Sequence, residues 1–227
     1  MEKINSIIDH TNLKADATEK DIAKLCEKAL KYDFRGVCVN PLWISFVFSH
    51  LKGKNVKIIS VCDFPLGSSF SAVRQKEAEM IMNNGAEEVD LVMQIPLLKS
   101  RKYKEIEGDI RGIVSIVHPE GKVKVIIEAP VLSSEEILSA TAIAESAGAD
   151  FIKSGTGTNG PVTVDQIEQI KSATGLPVKA AGGIKNMQTV LKLIRAGAAI
   201  FGSSSGEEII KEFQKENRGK WLGKKLE

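Results

Sequence analysis

The chain has 227 residues, with 31 basic and 29 acidic side chains and a formal net charge of +2. So small a net charge excludes broad electrostatic binding of nucleic acid or an anionic membrane, and an anionic ligand must be met by a local site. No apolar run is long enough to span a bilayer and the N-terminus lacks the apolar segment of a secretory signal, so we expect a cytoplasmic protein.

Short apolar runs typical of strands alternate with helical patterns along the whole chain. The predicted strands are Ser6–Asp9, Gly36–Val39, Lys57–Cys62, Glu88–Met93, Lys122–Ile127, Asp150–Lys153, Pro177–Ala180 and Ala199–Phe201. The first helix is introduced by Thr18 with an acid, Asp21, three residues later, which is the spacing of a capping box. Because no Pro/Ser-rich linker divides the chain, we predict one domain covering residues 1–227.

Eight strand–helix units predict an α/β fold, specifically a (β/α)8 barrel of the TIM type. The strands are nearly continuous in hydrophobicity, as parallel strands covered by helices are. An open doubly wound sheet is disfavoured, since His10-Thr11-Asn12-Leu13 and not a glycine fingerprint follows the first predicted strand. In such a barrel the active site lies at the C-terminal ends of the strands, so the polar residues found there are the candidates.

Two lysines are each the only charge near the end of a short apolar strand. Lys153 ends the sixth predicted strand and Lys179 lies in the seventh. Burial of an ammonium group and a second ammonium nearby both lower the pKa of a lysine, which can then act as a nucleophile and form a Schiff base with a carbonyl substrate. We predict Lys153 as the nucleophile and Lys179 as the perturbing charge; sequence alone does not order the two, and a structural ion pair is the alternative.

Carboxylates and a thiol complete the candidate site. Asp90 alternates with apolar neighbours in its strand, so we expect it to face inward and to move protons, or else to form a salt bridge with a lysine. Asp9 and Glu128 either orient the lysines or only neutralise them. Cys38 is expected to be a small residue lining the pocket, since no histidine is placed to activate it.

Glycine-rich turns after the last two predicted strands indicate a phosphate site. Backbone N–H groups in such turns bind anions, and barrels often hold phosphate after strands seven and eight, beside a helix N-terminus. A third turn, after Lys153, would add another wall. The predicted phosphate-binding residues are Gly157, Gly182, Gly183, Gly202, Ser204 and Ser205.

The sequence favours no metal and no other cofactor. The three histidines are scattered without a metal-binding motif. The three cysteines, Cys26, Cys38 and Cys62, follow no CxxC spacing, which argues against both a zinc site and a disulfide framework.

Taken together these motifs resemble the 2-deoxyribose-5-phosphate aldolase family over nearly the whole chain. The matching runs are Ile8-Asp-His-Thr-Asn-Leu, Gly36-Val-Cys-Val-Asn-Pro, Val61-Cys-Asp-Phe-Pro-Leu-Gly, Glu88-Val-Asp-Leu-Val, Lys124-Val-Ile-Ile-Glu, Ala149-Asp-Phe-Ile-Lys-Ser, Val178-Lys-Ala-Ala-Gly-Gly-Ile and Phe201-Gly-Ser-Ser-Ser. The resemblance implies a class I, metal-independent lyase of deoxyribonucleotide catabolism. Such an enzyme cleaves 2-deoxyribose 5-phosphate reversibly to glyceraldehyde 3-phosphate and acetaldehyde.

The same resemblance assigns the residues. It implies that Lys153 forms the Schiff base, that Lys179 favours its neutral form and that Asp90 assists proton transfer. It also implies that Asp9 and Cys38 line the pocket and that Gly157, Gly182, Gly183, Gly202, Ser204 and Ser205 hold the phosphate. With Asp9 and Cys38 we predict Thr156 as a substrate-binding residue. One departure is that the family commonly has Thr-Ser-Thr-Gly after the nucleophile, where this chain has Ser154-Gly155-Thr156-Gly157.

Two other functions stay open, namely another Schiff-base aldolase of a different phosphosugar and a phosphosugar-binding barrel that has lost the chemistry. We expect the partners to be a small phosphosugar and acetaldehyde, with no nucleic acid and no membrane. By resemblance to the family we also expect a homodimer or homotetramer.

Overall fold

A computed structural model describes the backbone of residues 4–223 and the side chains of residues 4–215. Within these residues eight parallel strands follow one another around a closed barrel, and the eighth pairs with the first. Helices lie between successive strands and cover the barrel on the outside. The predicted (β/α)8 barrel is confirmed. The predicted domain limits, residues 1 and 227, lie outside the described residues.

The eight strands are close to their predicted positions. They are β1 (Ile8–Asn12), β2 (Gly36–Val39), β3 (Lys57–Cys62), β4 (Glu88–Val92), β5 (Lys122–Ile126), β6 (Phe151–Lys153), β7 (Val178–Ala181) and β8 (Ala198–Ser203). The predicted limits of β2 and β3 are confirmed, those of β4 to β6 are wrong by one residue at one end, and those of β7 and β8 are wrong by one or two residues at both ends.

The first strand differs most from its predicted limits. Residues Ile4–Ile7 form a 3-10 helix, and β1 continues past Asp9 through Asn12. The polar run His10–Asn12 has little strand propensity of its own, but it pairs in register with Val37–Val39 of β2. Pairing with a buried neighbour therefore decides the limits of β1, and Asp9 lies within the strand instead of ending it.

Nine α-helices are present in the described part of the chain. They are α1 (Glu19–Tyr32), α2 (Ile44–Leu51), α3 (Ser71–Asn83), α4 (Ile95–Lys99), α5 (Tyr103–Val117), α6 (Ser134–Ser146), α7 (Val164–Ala173), α8 (Met187–Arg195) and α9 (Gly206–Gly223). The predicted capping box of α1 is confirmed, because Thr18 accepts from the Asp21 N–H and Asp21 accepts from the Thr18 N–H. Between residues 4 and 223 no helix is both long and apolar enough to cross a membrane.

The main hydrophobic core lies between the strands and the surrounding helices, and buried aliphatic side chains dominate it. A second, much smaller apolar cluster lies inside the barrel, where Cys38 of β2 packs with Ile59 and Val61 of β3. Leu13 and Phe64 cover this cluster. Charged side chains from β1, β4, β5, β6 and β7 also point into the barrel, and they position the candidate site.

Candidate active site

One carboxylate, Asp90 of β4, lies at the centre of the charged interior. Its Oδ1 accepts a hydrogen bond from Lys124 Nζ at 2.9 Å, and its Oδ2 accepts from Lys153 Nζ at 2.9 Å and from Lys179 Nζ at 2.8 Å. The three lysines come from the next three strands around the barrel, β5, β6 and β7. All four side chains are almost completely buried. The two lysines singled out in the sequence therefore point inward and share one carboxylate oxygen.

Further ion pairs join Asp90 into a closed ring. Arg35 binds Asp9 Oδ1 at 2.7 Å and Glu88 Oε1 at 2.5 Å. Lys124 joins Glu88 Oε2, at 2.5 Å, to Asp90. On the other side Lys179 joins Asp90 to Asp9 Oδ2, at 2.6 Å. Lys153 is attached to this ring only through Asp90.

Mutual attraction holds Asp9, Asp90 and Lys179 in their charged forms. Burial alone would raise the pKa of Asp90, yet Lys124, Lys153 and Lys179 together bring it well below its usual range. Burial also opposes ionisation of Asp9, but Lys179 and Arg35 lower the pKa of that carboxyl below its ordinary value. Burial lowers the pKa of Lys179, and Asp9 and Asp90 raise it by more, so it lies above its usual range. Lys179 is therefore a permanent ammonium group near neutral pH.

A cavity of about 640 Å³ opens at the C-terminal ends of β1, β6, β7 and β8. Lys153 lines this cavity, and its Nζ lies 6.0 Å from the ring centroid of Phe64, which forms another part of the wall. Lys124 and Lys179 do not line it. Of the three lysines bound to Asp90, Lys153 is thus the one that a ligand in the cavity can contact.

The structure brings most of the other predicted residues to the same cavity. Its lining includes Thr156, Gly157, Gly182, Gly183, Gly202 and Ser204. Asp9 and Cys38, predicted to contact the sugar, do not line it, because both are completely buried below it. Burial raises the pKa of the Cys38 thiol to about 11, so this cysteine is protonated near neutral pH. Ser205 does not line the cavity either; its N–H donates to Ser203 Oγ at 3.0 Å.

Glycine is required where the loops after β6 and β7 meet. Gly182 and Gly183 have φ of 109° and 71°, values that favour glycine. A Cβ at Gly182 would lie 3.1 Å from the Gly160 carbonyl oxygen, and one at Gly183 would lie 2.6 Å from Pro161 Cβ. The missing side chains allow the two loops to touch and bring backbone groups to the cavity wall.

Side-chain hydrogen bonds hold the loop that follows Lys153 in place. Ser154 Oγ donates to the Ala181 carbonyl at 3.2 Å and accepts from the Ala181 N–H at 3.0 Å, which ties β6 to β7. Glu128 Oε2 accepts from the Thr156 N–H at 3.0 Å. Glu128 was expected to orient or neutralise a lysine; within the described residues its bonded partner is this loop.

Sequence reasoning missed three members of the ring, namely Arg35, Glu88 and Lys124. A signal was present for two of them. Glu88 and Lys124 each alternate with valines in their strands, and Glu88 lies two residues before Asp90, so it shares the inward face of Asp90. Arg35 precedes β2 and gave no such signal.

The described residues contain no cluster of three or more His, Cys, Asp or Glu side chains arranged to hold a metal ion. Cys26, Cys38 and Cys62 are all buried free thiols. The cavity lining offers the Lys153 amine and glycine-rich backbone, together with the side chains of His10, Lys14, Asp16, Asp21, Lys24, Lys28 and Lys185.

Comparison with protein families matches residues 4–212 to the DeoC/LacD family aldolases. The chain belongs to this family. It is 47% identical over 212 residues to a deoxyribose-phosphate aldolase of Aciduliprofundum boonei, covering 91% of this chain and 95% of that protein. It is 42% identical over 214 residues to a deoxyribose-phosphate aldolase of Thermococcus kodakarensis, covering 92% of this chain and 96% of the relative.

Solved aldolase structures have the same fold. A putative deoxyribose-phosphate aldolase from Coccidioides immitis superposes with a TM-score of 0.91 at 34% identity, covering 93% of this chain and 86% of that one. The deoxyribose phosphate aldolase of Aeropyrum pernix, described as tetrameric, gives a TM-score of 0.85 at 31% identity over 93% of this chain and 91% of its own. The family resemblance seen in the sequence, and with it the prediction of an aldolase, is confirmed.

Proposed function

We propose that this DeoC/LacD aldolase cleaves 2-deoxyribose 5-phosphate reversibly to glyceraldehyde 3-phosphate and acetaldehyde through a Schiff base on Lys153. The observation that carries the assignment of the nucleophile is that Lys153 lines the cavity while its ion-pair partner Asp90 and the other two interior lysines lie behind it. The relatives named deoxyribose-phosphate aldolase support the substrate.

In the proposed reaction, proton transfers accompany the formation of a Schiff base and the cleavage of a carbon–carbon bond. The free amine of Lys153 attacks the aldehyde carbon, and loss of water from the carbinolamine gives an iminium ion. Removal of the proton from the C3 hydroxyl breaks the C2–C3 bond, and the iminium takes up the electron pair as an enamine. Protonation of the enamine at C2 and hydrolysis then release acetaldehyde and restore the amine.

Asp90 and Lys179 have supporting roles in this proposal. Asp90 Oδ2 contacts Lys153 Nζ at 2.9 Å and is therefore placed to take its proton and return it to the carbinolamine hydroxyl. The low pKa of Asp90 means that it carries this proton only briefly. Lys179, a permanent cation bound to the same oxygen, repels a positive charge on Lys153 and favours its free amine.

We propose that the phosphate binds at the other end of the cavity. Gly182 and Gly183 follow β7, and Gly202 and Ser204 lie at the end of β8, just before α9 begins at Gly206. Backbone N–H groups at such turns and the positive end of a helix dipole favour a dianion.

Trapping the Schiff base tests the function. The protein is incubated with acetaldehyde and borohydride, digested and analysed by mass spectrometry, and we expect the added mass on Lys153. Lys153→Ala should lose both the label and the cleavage of 2-deoxyribose 5-phosphate, while Lys171→Ala, which changes a lysine on α7 that does not line the cavity, should keep both. A wild-type protein that stays unlabelled under conditions that label a known class I aldolase would favour a binding barrel without chemistry.

Substrate choice separates this proposal from another phosphosugar aldolase. We expect 2-deoxyribose 5-phosphate to be cleaved much faster than ribose 5-phosphate, which differs by a single hydroxyl group. Equal rates, or a preference for the ribose compound, would contradict the assignment.

We further propose a homodimer or homotetramer and a cytoplasmic location. The Aeropyrum pernix relative is described as tetrameric, and here Leu42, Leu66 and Phe70 are exposed apolar side chains after β2 and β3. Sedimentation of the wild type and of Phe70→Ser tests the assembly. A wild-type protein that sediments as a monomer at micromolar concentration would contradict it. Three buried free thiols are compatible with a reducing compartment.

A further inference from the structure

The ion pairs inside the barrel contain unequal numbers of positive and negative groups. The closed ring has three carboxylates (Asp9, Glu88, Asp90) and three cations (Arg35, Lys124, Lys179). Lys153 is a fourth cation, attached through Asp90. With every group ionised the network carries one surplus positive charge, and it becomes neutral when Lys153 loses its proton.

We propose that Arg35 and Glu88, which do not touch the cavity, are positioning residues that set the pH at which Lys153 becomes a free amine. The inference deepens the proposed function and rests on it, because the free amine is the species that attacks the substrate. A buried network with unbalanced charge is unstable, so a charge removed at one point is compensated by gain or loss of a proton at another.

Lys153 is the member of the network that can exchange a proton most easily. Within residues 4–215 it makes one ion pair, whereas Lys124 and Lys179 each bridge two carboxylates. It also lines the cavity, where water can reach it. The guanidinium of Arg35 does not lose its proton in proteins.

The contacts of Arg35 explain how a remote residue can act on the amine. Its guanidinium joins Asp9 to Glu88 and lies 5.9 Å from the ring centroid of Phe151 on β6. If Arg35 is removed, Asp9 keeps Lys179 at 2.6 Å and Glu88 keeps Lys124 at 2.5 Å. Each carboxylate then still has a cation beside it, so we expect the missing positive charge to be replaced at Lys153.

The titratable groups around Lys153 in the barrel interior include Asp9 on β1, Cys38 on β2, Asp90 on β4, Lys124 on β5, Glu128 after β5 and Lys179 on β7. Seven others line the same cavity as Lys153, namely His10, Lys14, Asp16, Asp21, Lys24, Lys28 and Lys185. Cys38 is neutral, because burial raises the pKa of its thiol to about 11. Glu128 forms no ion pair within the described residues and bonds to the Thr156 N–H. The inward residues of β3, Ile59 and Val61, are apolar, and β8 contains no titratable residue.

Removal of the two remote charges should have opposite effects. Arg35→Met takes away a positive charge, so Lys153 should keep its proton to higher pH, and the acid limb of the pH–rate profile should move up by about one pH unit. Glu88→Gln takes away a negative charge and should move the same limb down by about as much. The double variant Arg35→Met/Glu88→Gln restores the original net charge of the network, so the acid limb should return to its wild-type position. Arg35→Lys keeps the positive charge and should leave the acid limb at the wild-type position.

The test measures the proton on Lys153 without turnover. Trace acetylation with acetic anhydride over a pH series, followed by mass spectrometry, gives the fraction of free amine at Lys153. We expect the labelling curves of Arg35→Met and Glu88→Gln to shift in opposite directions. Arg111→Met and Glu107→Gln, which break an exposed ion pair on α5, are the matched controls and should not shift the curve.

If the labelling curves of Arg35→Met and Glu88→Gln shift in the same direction, or do not shift, the inference is overturned. It is also overturned if the amount of label on Lys153 falls at every pH while the midpoint of the curve stays the same. If Arg35→Met does not fold, the comparison of Glu88→Gln with the double variant decides. A wild-type protein with normal labelling at Lys153 that fails to cleave 2-deoxyribose 5-phosphate would contradict the proposed function and leave the charge-balance result standing.

Discussion

The two buried regions of this barrel are built in opposite ways. Between the sheet and the helices the core is aliphatic, and residues such as Ile113 of α5 and Val123 of β5 are completely buried there. Inside the barrel, equally buried positions carry Asp90, Lys124 and Lys179. Apolar burial stabilises a fold, whereas buried ion pairs contribute little net stability and fix charges in place. The outer layer therefore holds the molecule together, and the inner one holds reactive groups in a set geometry.

The interior is itself divided. On the β2–β3 side Cys38, Ile59 and Val61 form an apolar wall, while the charged ring occupies the side formed by β4 to β7 and reaches across to β1. An apolar wall lowers the local dielectric, so the ion pairs facing it are stronger than they would be in water. The contrast predicts that substitutions of the charged residues inside the barrel alter the free energy of unfolding by an amount that depends on pH. Substitutions in the outer aliphatic core should alter it by the same amount at every pH.

The largest effect should come from Asp90→Asn. This change keeps the shape of the side chain but leaves three buried lysines without the carboxylate they share. Removing one partner of a buried ion pair costs about 3–5 kcal/mol, so we expect a loss of that size in the free energy of unfolding at neutral pH. Guanidinium denaturation of wild type and variant measures it.

The same variant has a diagnostic pH dependence. Because a lysine that loses its proton relieves the unpaired charge, the deficit of Asp90→Asn should shrink as the pH rises from neutrality. A loss below about 1 kcal/mol, or a deficit that is the same at every pH, would mean that the ring is not held by charge.

The second prediction concerns the pH dependence of wild-type stability. The pKa of Asp9 and Asp90 lies below the ordinary value of 3.8 in the folded protein, so near that pH the unfolded chain binds more protons. Their contribution is complete above the unfolded pKa and is lost as the pH falls through the folded one, at about 1.4 kcal/mol per unit of difference. Urea denaturation below pH 5 should show a shallower decline for Asp9→Asn than for the wild type, and equal slopes would contradict it.

At alkaline pH the free energy of unfolding depends on Lys179, and the direction of the dependence is opposite to that of Asp9 and Asp90. Its pKa is raised above the ordinary value of 10.5 in the folded protein, so its contribution is complete below that pH and is lost as the pH rises through the folded pKa. Between these two limits Asp9, Asp90 and Lys179 should leave the free energy of unfolding independent of pH.

The third prediction concerns the outer layer. Ile113→Val removes one methyl group from a completely buried position on α5 and should lower the free energy of unfolding by about 1 kcal/mol. Because no ionisable group is altered, the deficit should be equal at pH 5 and pH 9, and the pH–rate profile should be unchanged. A deficit that varied with pH would show that the two regions are coupled.

The same contrast between apolar and charged buried positions explains which features could be predicted from the sequence. Apolar periodicity predicted the barrel, and the lone charges Lys153 and Lys179 in apolar strands were recognised because each breaks that pattern. Asp90 was found by the same argument. These residues can be recognised from the local sequence, because a charged residue is unusual in a strand that is otherwise apolar.

The remaining residues could not be found in this way, because their roles depend on neighbours distant in sequence. Arg35 reaches Glu88 across 53 residues of chain. The limits of β1 depend on pairing with β2, and whether Cys38 lines the cavity depends on the side chains above it. Pairing, closure and burial are properties of the assembled barrel, and a single strand does not contain them.

The smallest predicted effect is at Gly155, where this chain departs from the usual family motif. Its φ is not positive, and a Cβ there would meet Glu128 Oε1 at 3.4 Å, an ordinary contact. That oxygen is buried and, among the residues that the structure describes, has no hydrogen-bond partner. Gly155→Ala should raise the free energy of unfolding by about 0.5 kcal/mol by restricting the unfolded chain, and Gly155→Ser by about 0.5 kcal/mol more if its hydroxyl donates to Glu128. Urea denaturation of the three proteins compares them, and serine no better than alanine would mean that Oε1 is not reached.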